Sequence, residues 1–376
     1  MLVGERIRLF PTREQEQQFR QFSGVARFIY NWSLDQRIQY YNETGESLTL
    51  TDLLKLYQDL KYSTEYEWLQ DTPEAISKQS IKDMLKAFSL FHKRGNKGFP
   101  RFKKKSKTKL SFYQRTDNLR LIDSTHIKIT GITTPVRVRE TELPVQVLNS
   151  RVTYDNKYWY LTYSYEVQEQ SLSMSGNIIG IDLGIKNLAV CSDGAIYKNI
   201  NKTSKRIKKL EKKLKHTQRR LSKRYLTKHT KSNNTLKLEN KLRLLHRSIT
   251  NIRTTYLHEV TMFIVKTKPY AIVIEDLNIR GMMKNKHLSD AIGKQGWYKF
   301  REFLTYKCTF YGVRLLVAER TFPSSRLTSC CHHKLTNLKL SDREITCPVC
   351  RQTIDRDYNA SLNLAQWGKD KLGLTG

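Results

Sequence analysis

The segment Ile179-Gly180-Ile181-Asp182-Leu183-Gly184 indicates an apolar β-strand that ends in a carboxylate and is followed by a glycine turn. Two later segments place an acid at a similar boundary, and they are Ile272-Val273-Ile274-Glu275-Asp276 and Asp355-Arg356-Asp357-Tyr358-Asn359-Ala360. Their order is strand, strand and helix, within a βββαβαβα pattern. Because carboxylates so placed can hold divalent cations against a phosphodiester, we expect the three acids to converge on one metal site.

Each acidic segment also has an ordinary structural explanation. Asp182 ahead of Gly184 is typical of a hairpin turn, and Glu275 could simply mark where a buried strand reaches solvent. Asp357 could be a helix cap that favours the positive end of the helix dipole. The joint occurrence of all three, in this order, favours a catalytic site.

The charge balance indicates a polyanionic partner. The 376 residues contain 67 Lys and Arg against 35 Asp and Glu, which gives a formal net charge of +32. Such a charge opposes compaction unless a polyanion neutralises it, so we expect nucleic acid binding. No stretch of 18 or more apolar residues and no signal-peptide pattern occurs, so we predict a cytoplasmic, nucleoid-associated protein without membrane contact.

The first half of the chain predicts two structural regions. Strand-like alternation over 110–166, with a hairpin at Asp155-Asn156, indicates a β-domain that a strand at 6–10 could join. Helices are expected from Thr12 to about Tyr41, over 51–60, and from Pro73 to Gly95, the first opened by a capping box. The simplest arrangement is a β-barrel, residues 1–11 and 96–170, interrupted by a helical insertion at 12–95.

The second half, after a polar joint at 171–175, predicts an α/β domain. Strands are expected over 178–189, 195–199, 271–275 and 313–318, with a helix over 296–310. Two long helices are expected over 202–256, broken at 231–234. The second carries the apolar seam of a coiled-coil-like hairpin, which includes Leu238, Leu245 and Ile249. The first helix is densely basic and offers one nearby acid, Glu211. Phosphate contact is the favoured interpretation and a solvated surface the alternative, for Lys205, Lys209, Lys213 and Arg220.

The chain resembles the TnpB proteins, nucleases encoded by small bacterial insertion sequences and related to the type V CRISPR effectors. The resemblance covers nearly the whole length and rests on ordered motifs: Leu9-Phe10-Pro11-Thr12, Gly98-Phe99-Pro100-Arg101-Phe102-Lys103, Gly180-Ile181-Asp182-Leu183-Gly184, Ile274-Glu275-Asp276-Leu277, Pro323-Ser324-Ser325 and Asp355-Arg356-Asp357-Tyr358-Asn359-Ala360. It implies a RuvC-like nuclease domain of the RNase H class at 171–322 and 353–376. It also implies that the β-barrel is a wedge domain, that 12–95 is a recognition insertion, and that 323–352 is a zinc-binding insertion.

The resemblance further implies an activity and its partners. It implies an RNA-guided endonuclease that cuts double-stranded DNA beside a short target-adjacent motif, with a guide RNA from the end of its own element. Asp182, Glu275 and Asp357 would hold two Mg²⁺, or Mn²⁺, ions about 3.5 to 4 Å apart, and Asp355 would be auxiliary. A monomer on its RNA and a functional link to a transposase are also implied. The alternatives are an RNA-guided DNA-binding regulator without cleavage, and a basic structural RNA-associated protein.

Clustered cysteines predict a structural zinc site. Cys347-Pro348-Val349-Cys350 has the spacing of half a zinc knuckle, but Thr328 stands where the family pattern has its first cysteine. The spacing Cys330-x-x-His333 favours Zn²⁺ held by Cys330, His333, Cys347 and Cys350, with Cys331 as a substitute for either upstream ligand. The alternative is a packed loop that has lost its metal.

Further nucleic acid contacts follow from the basic segments. A guide–target heteroduplex is expected in a positive channel that reads backbone shape, with candidates Arg101, Lys103, Lys104, Lys105 and the basic helix after 202. Lys78, Gln79 and Lys82 are candidates for reading the adjacent DNA motif. The aromatic residues Phe99, Phe102, Phe112 and Tyr113 could stack on bases or belong to the core.

Overall fold

The computed structural model describes residues 1–93, 98–168, 175–227, 232–336, 338 and 342–374. The chain divides into two compact units, Leu2–Val167 and Gln168–Gly376. The helix end predicted at Gly95, the domain boundary at 170/171 and most of the polar joint at 171–175 lie outside the described residues.

The N-terminal unit combines one sheet with three long helices. In chain order its elements are β1 (Leu2–Phe10), α1 (Arg13–Thr44), α2 (Leu50–Tyr62), α3 (Glu74–Lys93), β2 (Ser111–Tyr113), β3 (Arg120–Asp123), β4 (His126–Lys128), β5 (Val136–Val138), β6 (Leu148–Tyr154) and β7 (Trp159–Glu166). The strand order is β2-β6-β7-β1-β5-β4-β3, with antiparallel pairing throughout. The N-terminal strand therefore joins the β-domain as predicted.

The predicted barrel is not confirmed, because β2 and β3 stand at opposite ends of this strand order among the described strands. The helices follow the sequence signals more closely. Thr12 and Gln15 form the capping box at the start of α1, and Gly45, at φ 75°, ends that helix. One face of α1 packs Phe19 and Phe22 on the sheet, and the remainder packs against α2 and α3.

The C-terminal unit is built on a five-stranded sheet. Its elements are β8 (Ser175–Asp182), β9 (Asn187–Cys191), β10 (Ile196–Lys198), α4 (Ile200–Thr203), α5 (Lys205–Thr227), α6 (Asn233–Lys266), β11 (Pro269–Glu275), α7 (Ile279–Met282), α8 (Ser289–Gln295), α9 (Trp297–Tyr311), β12 (Arg314–Ala318), β13 (Glu344–Thr346), β14 (Thr353–Asp355) and α10 (Arg356–Leu372). The order is β10-β9-β8-β11-β12, in which β8, β11 and β12 are parallel. The strand predicted over 178–189 is two strands, because the chain turns at Gly184.

Helices cover both faces of this sheet. Ile179, Ile181 and Ile274 face a core formed with α6 and α9, whereas Ile178 and Val273 face α10. This alternation along a strand is why β8 and β11 are apolar almost throughout. Two separate long helices are present as predicted, since α5 ends at Thr227 and Ser232 caps α6. However, α6 begins at Asn233, inside the break predicted at 231–234, and residue 231 lies outside the described residues. Among the described residues, no helix combines the length and apolarity that a bilayer crossing requires.

Candidate active site

The sheet brings Asp182 and Glu275 to the same edge. In the parallel pair β8 and β11, Ile181 lies opposite Ile274. Asp182 and Glu275 are the next residues of each strand, and both strands end there. Because neighbouring parallel strands lie about 4.8 Å apart, the two carboxylates are close neighbours, as the sequence predicts.

Helix α10 brings Asp357 to this edge. Gly368 packs against Ile178 and Val273, whereas Ser361 and Ala365 lie against Gly180, so the helix runs antiparallel to β8. Asp357 lies four residues before Ser361, which is about 6.0 Å along the helix axis. Asp182 lies two strand residues beyond Gly180, about 6.6 Å. The two displacements match, and the Asp357 carboxylate is near enough to act electrostatically on Asp182.

The cap of α10 is Asp355. Its side chain accepts hydrogen bonds from the backbone N–H groups of Asp357 and Tyr358, both at 3.0 Å. The alternative that Asp357 is an ordinary helix cap is therefore wrong. Asp355 satisfies the exposed donors of the first turn, which leaves the Asp357 carboxylate available for another role.

The electrostatics of the three acids favour a cation between them. Burial raises the pKa of Asp182 well above its ordinary value, and the charges of Glu275 and Asp357 raise it further. Burial also raises the pKa of Glu275. All three side chains keep a partly accessible surface. Carboxylate oxygens are the ligands that Mg²⁺ prefers, and a divalent cation would relieve this mutual repulsion, so the donor set fits such an ion.

Three further polar side chains hold this site in place, and the sequence did not predict their roles. The Ser324 hydroxyl donates to Oε1 of Glu275. Asn359 on α10 accepts from the Ser329 N–H at 2.8 Å and donates to the Leu327 carbonyl at 2.6 Å. Asn363, one turn later, donates to the carbonyls of Ser324 and Leu327, both at 2.7 Å. The segment 324–329 is therefore fixed simultaneously to Glu275 and to the helix that carries Asp357.

The structure gathers four cysteines into one cluster. The Sγ atoms of Cys330, Cys331, Cys347 and Cys350 all lie within 4.8 Å of one another, and those of Cys330 and Cys350 are 3.3 Å apart. A tetrahedral zinc site with Zn–S bonds of about 2.3 Å needs sulfur separations of about 3.8 Å. The donor set thus fits Zn²⁺. Within the described residues, no other group of three or more His, Cys, Asp or Glu side chains is as closely spaced as these four cysteines. The ligand atoms of Asp182, Glu275 and Asp357 are therefore farther apart than the four sulfurs.

The prediction that His333 is a zinc ligand is wrong. Cys331, the predicted substitute, lies in the cluster, whereas His333 does not. The backbone of His333 instead pairs with Thr328, since its carbonyl accepts from the Thr328 N–H and its own N–H donates to Thr328 Oγ1, both at 3.0 Å. Thr328 itself is buried, and its hydroxyl lies 3.6 Å from Cys347 Sγ. His333 is thus paired with Thr328 and is not part of the sulfur cluster.

Comparisons with known proteins show what the whole chain is similar to. Three family models match the chain: "Probable transposase" of the IS605 OrfB type over 162–286, "Cas12f1-like, TNB domain" over 297–364, and "Helix-turn-helix domain" over 1–46. A protein of Escherichia coli K12 described as "Putative RNA-guided DNA endonuclease InsQ" is 29% identical over 98% of this chain and 92% of its own length. The chain is therefore TnpB-like, similar to transposon-encoded proteins described as putative RNA-guided DNA endonucleases.

Two further similar proteins cover nearly all of this TnpB-like chain. A "Putative RNA-guided DNA endonuclease" of Streptomyces pristinaespiralis is 28% identical over 96% of this chain and 88% of its own length. The cryo-EM structure of a Cas12f1-sgRNA-target DNA complex superposes with a TM-score of 0.63 at 17% identity, covering 94% of this chain and 83% of that one. This likeness shows that the two chains share a fold. The helix-turn-helix match falls on β1 and the single helix α1.

Some of the residues predicted to contact nucleic acid are exposed in this TnpB-like chain, and others are paired with neighbouring acids. Lys205, Lys209, Lys213 and Arg220 are all exposed on α5, and Arg101, Lys104, Lys105 and Lys82 are also exposed. Lys78 is paired with Glu74 at 3.1 Å, and Gln79 donates to Asp83 at 3.0 Å. Contact of these residues with nucleic acid stays a prediction.

Lys103 is held within the N-terminal unit. Its Nζ lies 3.5 Å from the centre of the Tyr30 ring, and Asn31 hydrogen-bonds both its backbone N–H and its carbonyl, at 2.7 and 3.0 Å. Burial lowers the pKa of Lys103. Among the four predicted aromatic contacts, Phe112 is buried in the core and Phe99 and Phe102 are exposed.

Proposed function

We propose that this protein is an RNA-guided endonuclease that cuts double-stranded DNA beside a short target-adjacent motif. The observation that carries the proposal is the convergence of Asp182, Glu275 and Asp357 on one sheet edge, in a chain whose relatives are described as putative RNA-guided DNA endonucleases. An intact set of three acids is what phosphodiester hydrolysis requires and what a binding-only regulator does not need.

The three acids have distinguishable roles in this proposal. When bound, two divalent cations such as Mg²⁺ or Mn²⁺ would activate a water and neutralise the charge that develops on the scissile phosphate. Both Glu275 and Asp357 act electrostatically on Asp182, so the Asp182 carboxylate would be shared between the two cations. Ser324 holds the Glu275 carboxylate in one orientation, and Asp357 approaches from α10. In-line attack would leave a 5′-phosphate on one product.

The remaining parts of the chain supply nucleic acid binding and support. The exposed basic residues of α5 would contact phosphates of a guide RNA or of its heteroduplex with DNA, and the helical insertion at 12–95 would read the adjacent motif. The sulfur cluster would hold one structural Zn²⁺ and fix the segment that precedes α10. The protein would act as a monomer on RNA from the end of its element, with a functional link to a transposase.

Purification with the RNA that accompanies the protein tests this function. The protein is expressed together with its flanking element DNA, the copurifying RNA is sequenced, and plasmids that match its variable 3′ end beside a randomised flank are incubated with Mg²⁺. We expect one discrete RNA species and cutting at matched plasmids only. Asp182→Ala, Glu275→Gln and Asp357→Ala should each abolish cutting while RNA binding persists.

The other outcomes identify other functions. Specific occupancy of the matched plasmid without cutting would indicate the regulator. Coating of plasmids without dependence on the guide would indicate a structural RNA-associated protein. Full cutting by any one of the three variants would reject the assignment of the acids.

A further inference from the structure

A cavity of about 300 Å³ opens beside Glu275. The end of β11, the segment that follows it and the start of α9 form its walls. Leu183, the residue after Asp182, also lines it, so the cavity adjoins two of the three acids. Its lining includes Glu275, Arg280, Trp297, Tyr298, Arg301 and Arg320.

One acid holds two of the arginines in place. Asp276 accepts from Arg301 Nη1 at 2.9 Å and from Arg320 Nε at 2.6 Å. Both arginine side chains stay about half exposed, at 45% and 59%. Each guanidinium therefore has further N–H donors in addition to the one it gives to Asp276. A planar guanidinium whose orientation is fixed in this way is suited to bidentate recognition of a phosphate.

An exposed aromatic ring stands in the same cavity. Tyr298 is 75% exposed although it follows Trp297, which is only 3% exposed. The buried indole N–H of Trp297 has no acceptor in the part of the chain that the structure describes. An accessible ring beside arginines is how proteins bind single-stranded nucleic acid, because the ring stacks on a base while the cations contact the backbone.

We propose that this cavity is a nucleotide subsite for the DNA strand being cut, in which Tyr298 stacks on one unpaired base and Arg280, Arg301 and Arg320 contact its flanking phosphates. The inference rests on the proposed nuclease function and adds the residues that would hold the cut strand beside Glu275. A paired base cannot offer its face to Tyr298, so the subsite selects strands already separated from their partner. Asp276 is a positioning residue that sets the direction of two guanidiniums.

A double-mutant cycle that combines a protein variant with a modified DNA tests the stacking. The RNA-bound protein is given matched duplexes in which an abasic nucleotide is moved, one position at a time, along the cut strand near the cut. Loss of one base–aromatic stack by alanine substitution corresponds to roughly 5- to 150-fold. We therefore expect one or two positions where the abasic nucleotide slows the wild type about tenfold or more but does not slow Tyr298→Ala further.

Controls separate stacking from folding and from the nuclease function itself. Tyr298→Phe keeps the ring and should reproduce the dependence on abasic position that the wild type shows. Phe263→Ala, which removes a ring 63% exposed on α6, should leave the abasic profile unchanged. If Tyr298→Ala slows the cutting of every abasic duplex by the same factor as the cutting of the intact duplex, the proposed subsite is rejected, although the nuclease function stands. Absence of cutting by the wild type would instead reject the function.

The arginines have an independent readout. Arg320→Gln should raise the apparent KM for the matched duplex more than it lowers kcat, and it should make the salt dependence of cutting less steep, since a phosphate contact is lost. An unchanged salt dependence together with an unchanged KM would show that Arg320 contacts no phosphate, and this would overturn the proposed backbone contacts.

Discussion

The hydroxyl of Ser324 donates a hydrogen bond to Oε1 of Glu275, across 49 positions of the chain. Ser324 is buried, at 4% exposure, and its carbonyl accepts from Asn363 on α10 at 2.7 Å. The same serine therefore contacts one of the proposed catalytic acids and the helix that carries another. Its hydrogen bond opposes the effect of burial, because it lowers the pKa of Glu275 while burial raises it.

Ser324→Ala is expected to lower the cutting rate without abolishing it. A hydrogen bond to a charged group contributes about 1.5 to 3 kcal/mol, which corresponds to roughly 10- to 150-fold in rate. Loss of the donor should also raise the pKa of Glu275, so the ascending limb of the pH–rate profile should move to higher pH. Single-turnover cutting across pH measures both effects.

The matched control is the adjacent serine. Ser325→Ala removes a hydroxyl that makes no hydrogen bond to the three acids in the described structure and should leave rate and pH profile unchanged. Equal profiles for Ser324→Ala and the wild type would show that the hydrogen bond to Glu275 does not contribute to catalysis.

Gly180→Ala is expected to separate α10 from the sheet. A Cβ at this position would lie 2.0 Å from the Ser361 carbonyl oxygen and 2.5 Å from the Ala365 nitrogen, and both are backbone atoms that cannot turn aside. Overpacking of this kind costs about 1 to 3 kcal/mol or more, and each kcal/mol lowers Tm by about 2 to 4 °C in a unit of this size. The displacement should also withdraw Asp357 and abolish cutting.

Gly176→Ala on the same strand is the control, because a Cβ there meets nothing within 4 Å. Differential scanning calorimetry of the two variants compares their stability, and plasmid cutting compares their activity. A Gly180→Ala variant with the Tm and activity of Gly176→Ala would contradict the close packing of α10 on β8.

Cys331, and not His333, is expected to hold zinc. Cys331→Ser should reduce bound zinc from about one equivalent to less than half, since a hydroxyl is a poor zinc ligand. His333→Ala should retain the metal. Elemental analysis of the purified variants measures the content, and the Tm loss on adding a chelator should be seen in His333→Ala as in the wild type. Retention by Cys331→Ser with loss in His333→Ala would restore the ligand set that spacing alone favours.

The contrast between these sites shows what a single sequence can predict. The capping box of Thr12 and Gln15 is a local signal, and the helix starts where it predicts. Asp182 and Glu275 are equally readable, because each ends an apolar strand. Asp355 and Asp357 offer two acids at one helix start, and only the hydrogen bonds show which one is the cap.

Non-local geometry decides the features that the sequence did not predict. Whether the N-terminal sheet closes depends on where its edges β2 and β3 lie, and no residue pattern within those short strands records that. The choice between Cys331 and His333 depends on the pairing of His333 with Thr328, which is invisible in ligand spacing. Ser324 was recognisable only as part of a motif, because its role follows from a partner 49 residues away.

Removal of the Asp182 charge is expected to stabilise the metal-free protein. The folded-state pKa of Asp182 is raised well above 3.8, so its contribution to stability is present below that ordinary pKa and is lost as pH rises through the raised value. Asp182→Asn should therefore have a higher Tm than the wild type near neutral pH in a chelator, and this difference in Tm should narrow as the pH approaches about 4.

Adding millimolar Mg²⁺ should raise the Tm of the wild type, because the cation binds the folded state, but should raise that of Asp182→Asn much less. Lys82→Gln, which removes an exposed charge in the other unit, serves as the control and should respond to Mg²⁺ as the wild type does. Identical Mg²⁺ responses in wild type and Asp182→Asn would show that Asp182 is not a cation ligand, whatever the cutting assay gives.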